Sequence, residues 1–247
     1  MNINDTPSHF GKQHAGQVLN WIPTDTEENY HKHCQRLEYQ EYIKAKGWDN
    51  SNSITYRINS LGYRGDEFDF KKPCLVALGC SFSVGIGLPE SDVWPWRLGK
   101  ALNLPVVNLS WGGYSADTCF RLAEYFLPRL NVELCVMTTP PKDRIEMLVN
   151  NKEFEVFMPQ SESRWFNPED IYLKNWMTHE ENSRLNNLKN TLALEMLCSK
   201  HRIPCQIYSA FEFFARSREE VEYARDYMHA GPLGHRLATE KILNDLT

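Results

Sequence analysis

The chain has 247 residues, of which 42% are hydrophobic and 24% charged, and a formal net charge of -5. That length holds one large α/β domain with its own core, or two small domains, and the ordinary apolar fraction excludes global disorder. The acidic balance, with no Lys/Arg block, argues against a nucleic-acid partner, and no apolar run approaches the roughly 18 residues of a membrane span.

The opening stretch "MNINDTPSHFGKQHAGQ" lacks the basic start and apolar core of a signal peptide. The seven cysteines are scattered, with no CxxC pair, so zinc has little support. A reducing, cytoplasmic setting is expected. Residues 1–72, rich in Asn, His, Gln and Tyr, read as an N-terminal extension packed on a main domain. Within it, "TEENYHKHCQRLEYQEYIKAK" is expected as one helix. "SITYRINSLGYRGDEFDF" reads as a short strand, a Gly turn and a second extended piece.

From residue 73 a regular alternation begins. "CLVALG" predicts a buried strand, and "ESDVWPWRLGKAL" a helix with Pro95 in its first turn and Trp94 in the core. "PVVNLS" predicts a second strand. "SADTCFRLAEYFLPRL" predicts a helix capped by Ser115 or Asp117. "ELCVMTT" predicts a third strand. Residues 141–180 read as an irregular insertion whose Trp165, Phe166, Tyr172 and Trp176 are placed to lid a site. "EENSRLNNLKNTLALEMLCSKH" predicts a long amphipathic helix carrying Leu185, Leu188, Leu192 and Met196. "PCQIYSA" predicts a fourth strand and "GPLGHRLATEKILNDL" a final helix. Strands alternating with helices over 73–247 mean a three-layer α/β/α domain with a parallel sheet, whose ligands bind beyond the carboxyl ends of the strands.

Ser81 lies just beyond the end of the first of these strands, in "LGCSFSVGIG". On that stretch alone, a serine capping a turn and a catalytic nucleophile are equally open. The loop lacks the Lys-Ser/Thr of a P-loop and a full GxGxxG, so nucleotide binding is a weak rival. A catalytic serine needs a base, and the base needs an orienting group. "RDYMHAGPLGHR" offers both, with Asp226 three residues before His229. An oxyanion needs N–H donors; the Ser81 backbone is one, and Gly113 in "NLSWGGYSADT" is another. His235 reads as a structural helix residue.

The order strand-GxSxxxG, "VVNLSWGGYS", then a late DxxH followed by "GPLGHRLATEKI" resembles the SGNH, or GDSL-type, hydrolase superfamily. The resemblance spans residues 73–247, and "NSLGYRGDEF" resembles a lead-in segment of some members. It implies a flavodoxin-like sheet, ester hydrolysis or acyl transfer, and no metal or organic cofactor. It implies Ser81 as nucleophile, His229 as base, Asp226 as its partner and Gly113 as oxyanion donor, with Gly112 the alternative register. Two departures stand out. Cys80 occupies the place of the family's Asp, which makes Cys80 a rival nucleophile. The Asn donor that follows the third strand is missing; Thr138 or Thr139 offers a hydroxyl there, and Lys142 or Arg144 a charge. Losing one such donor costs about 10²–10³ in rate. The expected function is a serine esterase acting on an acetyl or short acyl group of a small-molecule or carbohydrate ester, with Thr139 as the third oxyanion donor. Trp111 and Tyr114 either line the pocket or serve packing. The alternatives are an acyltransferase using the same residues, and an inactive binding module that keeps the fold.

Overall fold

The computed structural model describes residues 2–149, 153–158, 175–176, 178–211, 213–214 and 222–247. The predicted lid residues Trp165, Phe166 and Tyr172 lie outside these. The N-terminal segment contains β1 (Val18–Leu19), α1 (Glu27–His33), α2 (Leu37–Ala45) and β2 (Tyr56–Arg57). Then follow β3 (Pro73–Leu78), α3 (Ser81–Val84), α4 (Trp94–Leu102), β4 (Val106–Asn108), α5 (Ala116–Phe126) and β5 (Asn131–Thr139). The chain continues with β6 (Ile145–Val149), β7 (Glu153–Phe157), α6 (Glu180–Lys200), β8 (Cys205–Ser209) and α7 (Pro232–Leu246).

The central sheet is parallel throughout, in the order β4-β3-β5-β8. This is the flavodoxin-like order, in which the chain moves to one side of the first strand and then to the other. Alternation along the strands divides the core into two layers. Leu75 and Ala77 of β3, with Leu134 and Val136 of β5, face Trp94, Leu98, Ala238 and Ile242 of α4 and α7. Cys74, Val76 and Leu78, with Cys135 and Met137, face Leu122 and Phe126 of α5 and Leu194 and Cys198 of α6. The expected three-layer arrangement is therefore present. Pro95 sits in the first turn of α4, where its missing N–H costs nothing, and Ser115 caps α5 in a capping box with Thr118.

Three local expectations are corrected. The segment over 26–46 is two helices, broken at Cys34–Arg36. At 3.6 residues per turn, Tyr30 and Tyr39 would fall on opposite faces of one continuous helix. The break lets both bury, with the Tyr30 hydroxyl donating to Asp49 O at 2.9 Å and that of Tyr39 to Arg225 O. Part of the insertion expected to be irregular is an antiparallel hairpin, β6 against β7. It is pinned to α5 by the Arg121–Glu146 ion pair at 2.6 Å and by Glu146 N–H donating to Asp117 at 3.1 Å. Finally, the leucine stripe of α6 does not face the core: Leu185, Leu188, Leu192 and Met196 are exposed. The buried face carries Ser183, Asn186, Leu194 and Cys198, because Asn186 and Asn190 donate to Asp117 of α5 at 3.2 and 2.8 Å.

The N-terminal segment is tied to the main sheet by buried charge. Arg225, between β8 and α7, is fully buried and forks onto Asp25, with Nε at 3.0 Å from Oδ1 and Nη2 at 2.7 Å from Oδ2. Its remaining donors reach Ser51 O at 3.0 Å and Asn20 O at 2.9 Å, and its plane covers the Trp21 ring at 4.2 Å. Tyr56 donates to Asp25 and accepts the Gly87 N–H at 2.8 Å. Arg64 reaches under the loop after α3, donating to Val84 O, Gly85 O and Leu88 O at 2.7 Å each. Gly87 has φ +73, and a Cβ there would meet Arg225 N at 2.9 Å, so glycine allows the two loops to touch.

Two consequences are measurable. Asp25→Ala leaves the Arg225 charge buried and unpaired, and is expected to cost about 3–5 kcal/mol in urea unfolding at neutral pH. Two buried imidazoles make stability depend on pH. Burial pushes His235 down to about 3, and its Nδ1 accepts the Trp94 N–H at 3.2 Å. Burial likewise pushes His9 down to about 4, where it stacks on Tyr63. An unfolded chain protonates both near the ordinary 6.5. From there down to the folded values the unfolded state binds more protons. Stability therefore falls with falling pH, by up to about 1.4 kcal/mol per pH unit per group. The drop in urea midpoint from pH 7 to pH 5 is expected to be smaller in His235→Gln than in the wild type.

Candidate functional site

β3 ends at Leu78, and Gly79 and Cys80 lead into the single turn of α3, whose first residue is Ser81. Any side chain at Gly79 would collide with Ser83 and Thr138. The turn is braced from below. Ser83 Oγ lies 2.5 Å from Thr138 Oγ1 and accepts from Trp94 Nε1 at 3.3 Å. Asn108, at the end of β4, donates to Ser83 O at 2.8 Å. These contacts fix the backbone that carries Ser81, whose side chain is buried and whose Oγ faces Cys80 Sγ at 3.9 Å. Among the described residues the Cys80 thiol has no basic partner.

The second part of the site comes from the loop before α7. Asp226 Oδ2 is 2.6 Å from His229 Nδ1, and Asp226 Oδ1 accepts the backbone N–H groups of Met228 and His229 at 3.1 Å each. The carboxylate closes a turn and meets the ring of the residue three positions on. Burial works against the Asp226 charge. The His229 ring, the His229 backbone N–H and the Thr24 hydroxyl outweigh it and hold the carboxyl below its ordinary value. Asp226 has no side-chain exposure, whereas His229 keeps 11% of its own. The imidazole therefore reaches solvent with a desolvated carboxylate behind it. It packs edge-on against Phe82, the neighbour of Ser81, with ring centroids 5.0 Å apart. Among the described residues, no direct Ser81–His229 hydrogen bond is formed. Such bonds are often long without substrate.

Gly113 has φ +88, and a Cβ there would meet Phe10 at 3.6 Å and Met158 at 3.9 Å. The N-terminal segment and the end of β7 thus flank it. Its N–H and that of Ser81 donate to no protein group among the described residues. Gly112 borders Ile86. Trp111 and Tyr114 are buried; Trp111 stacks near His14 and Tyr114 tilts against Phe10. At the end of β5, Thr138 is committed to Ser83, and Thr139, half-buried, pairs with Ser209 of β8. Lys142 pairs with Glu180, and Arg144 donates to Tyr114 O.

The residues suited to holding a metal lie elsewhere. Cys135, Cys198 and Cys205 bring their sulfurs within 4.8 Å of one another. They join the middle of β5, the end of α6 and the start of β8, whereas Ser81 lies beyond the opposite end of the sheet. All seven cysteines are free.

Sequence reasoning missed Thr24, Asp25, Tyr56, Arg64 and Arg225, which position the two loops. The only local signal was the "NSLGYRGDEF" segment containing Arg64. Among the described residues, no helix is long and apolar enough to cross a membrane.

No family model and no curated protein matches the sequence. Several solved structures are similar. One is a member of the lipolytic G-D-S-L family from Veillonella parvula, at 14% identity and TM-score 0.38, over 70% of this chain and 97% of that one. Another is the psychrotrophic esterase EstA from Pseudoalteromonas sp., at 12% identity and TM-score 0.37, over 72% and 97%. A third is the acetyl xylan esterase Est2A from the rumen bacterium Butyrivibrio proteoclasticus, at 13% identity and TM-score 0.42, over 74% and 65%.

Proposed function

We propose that the chain is a serine esterase of the SGNH type. The observation that carries this reading is the buried Asp226 carboxylate bonded to His229 Nδ1, with the imidazole against the residue that follows Ser81. In the proposed reaction, His229 Nε2 takes the Ser81 hydroxyl proton as Oγ attacks the ester carbonyl. Asp226 holds the ring tautomer and stabilises the imidazolium. The N–H groups of Ser81 and Gly113 receive the oxyanion, and the Thr139 hydroxyl takes the place of the absent Asn. His229 then gives its proton to the leaving alcohol. Water, deprotonated by the same ring, releases the acyl group from Ser81. The closeness of Phe10 and Met158 to Gly113 suits a short acyl chain. An acetyl or similar ester on a carbohydrate is the substrate class we assign.

Wild-type protein is expected to turn over p-nitrophenyl acetate and to be labelled at Ser81 by a fluorophosphonate. Ser81→Ala abolishes both, and His229→Ala lowers kcat about a thousandfold or more. Absence of wild-type turnover together with absence of labelling would overturn the esterase reading.

A further inference from the structure

The turn Ile22-Pro23-Thr24-Asp25 contains a residue that backbone sterics disfavour. Thr24 has φ +76, and Ile22 N–H donates to Asp25 O across the turn at 3.1 Å. With proline at the second position, a positive φ at the third ordinarily calls for glycine or asparagine. A β-branched residue there is a clear outlier, and such outliers persist only where their surroundings over-determine them. Here the surroundings are on both sides. Asn29 donates to Thr24 O at 2.9 Å, and the next residue, Asp25, is locked into the Arg225 ion pair.

The side chain explains what the backbone does not. Thr24 Oγ1 donates to Asp226 Oδ2 at 2.8 Å, the same oxygen that meets His229 Nδ1. With the two backbone donors on Oδ1, the carboxylate has two partners on each oxygen and one defined orientation. Its only side-chain partner besides His229, among the described residues, comes from a segment 202 positions away. The other charged and titratable groups near the pair are Arg225 with Asp25 behind it, His33 of α1 and His235 of α7. None of them supplies this contact.

We infer that Thr24 is a positioning residue: its hydroxyl orients Asp226, and through it His229, and the strained turn is retained because it delivers that hydroxyl. This rests on Ser81, His229 and Asp226 acting as proposed above. Residues 1–72 are then part of the catalytic apparatus rather than an appendage.

Three variants of the full chain separate hydroxyl from backbone. Thr24→Val keeps the shape and removes the hydroxyl. Thr24→Gly removes the hydroxyl and relaxes the turn. Thr24→Ser keeps the hydroxyl. Expected for Val and Gly is a kcat about tenfold below wild type with KM within about twofold, while Ser stays within about twofold on both. Circular dichroism and urea midpoints establish that each variant is folded. A second readout needs no turnover: by NMR of histidine-labelled protein, the His229 Nδ1–H proton exchanges faster with water in Val and Gly than in wild type and Ser. Wild-type kcat and proton exchange in a folded Val or Gly variant would overturn the inference, as would a Ser variant as impaired as Val. If the wild type proves inactive and unlabelled at Ser81, the esterase reading fails, while proton exchange still decides the role of Thr24.

Discussion

The fork of Arg225 on Asp25 is the contact on which the candidate site depends. Both side chains are essentially without solvent. A pair buried this deeply gains little unless every remaining donor and lone pair is satisfied. Here the guanidinium also donates to Ser51 and Asn20, and the carboxylate accepts Tyr56. What the pair secures is geometry. Arg225 N–H donates to Gly87 O at 2.8 Å, and Asp226 follows immediately. The loop bearing Asp226 and His229 is thereby fixed to the loop that follows Ser81.

Charge balance extends the same logic. Four fully buried charged residues lie in this region, Asp25, Asp226, Arg64 and Arg225. Among the described residues Arg64 has no carboxylate in contact, and it rests on three carbonyls and the Tyr56 ring at 4.5 Å. The set is formally neutral, while the Asp226 charge itself is held by the His229 ring, the His229 backbone N–H and the Thr24 hydroxyl. Removing solvent from that carboxylate strengthens its field at the imidazole.

The parallel sheet and its flanking helices were legible because their signals are local. Leu75 to Leu78 is too short and too apolar for anything but a buried strand, and Gly79 ends it before Ser81. The three-residue spacing of Asp226 and His229 suffices for contact once a turn closes. The supporting charges were not legible. Asp25 and Arg64 lie among polar neighbours, where the default reading is a solvated surface, and Arg225 is 200 residues from its partner. The face of α6 was misread for a related reason. Leu185, Leu188 and Leu192 have core spacing, but which face turns inward is set by Asp117 on another helix, which takes Asn186 and Asn190. Periodicity reports that a helix has faces; the partner decides which one is covered.

The distance along the chain between Asp25 and Arg225 has a consequence for how the candidate site is assembled. Contacts closed over such separations carry a loop-closure entropy that contacts between near neighbours do not. The β3–β5 core can condense from nearer neighbours, but the Asp226 loop reaches its final place only when Thr24 and Asp25 dock on it. A chain in synthesis carries Ser81 long before it carries Asp226 and His229, and the candidate site is complete only when both segments meet.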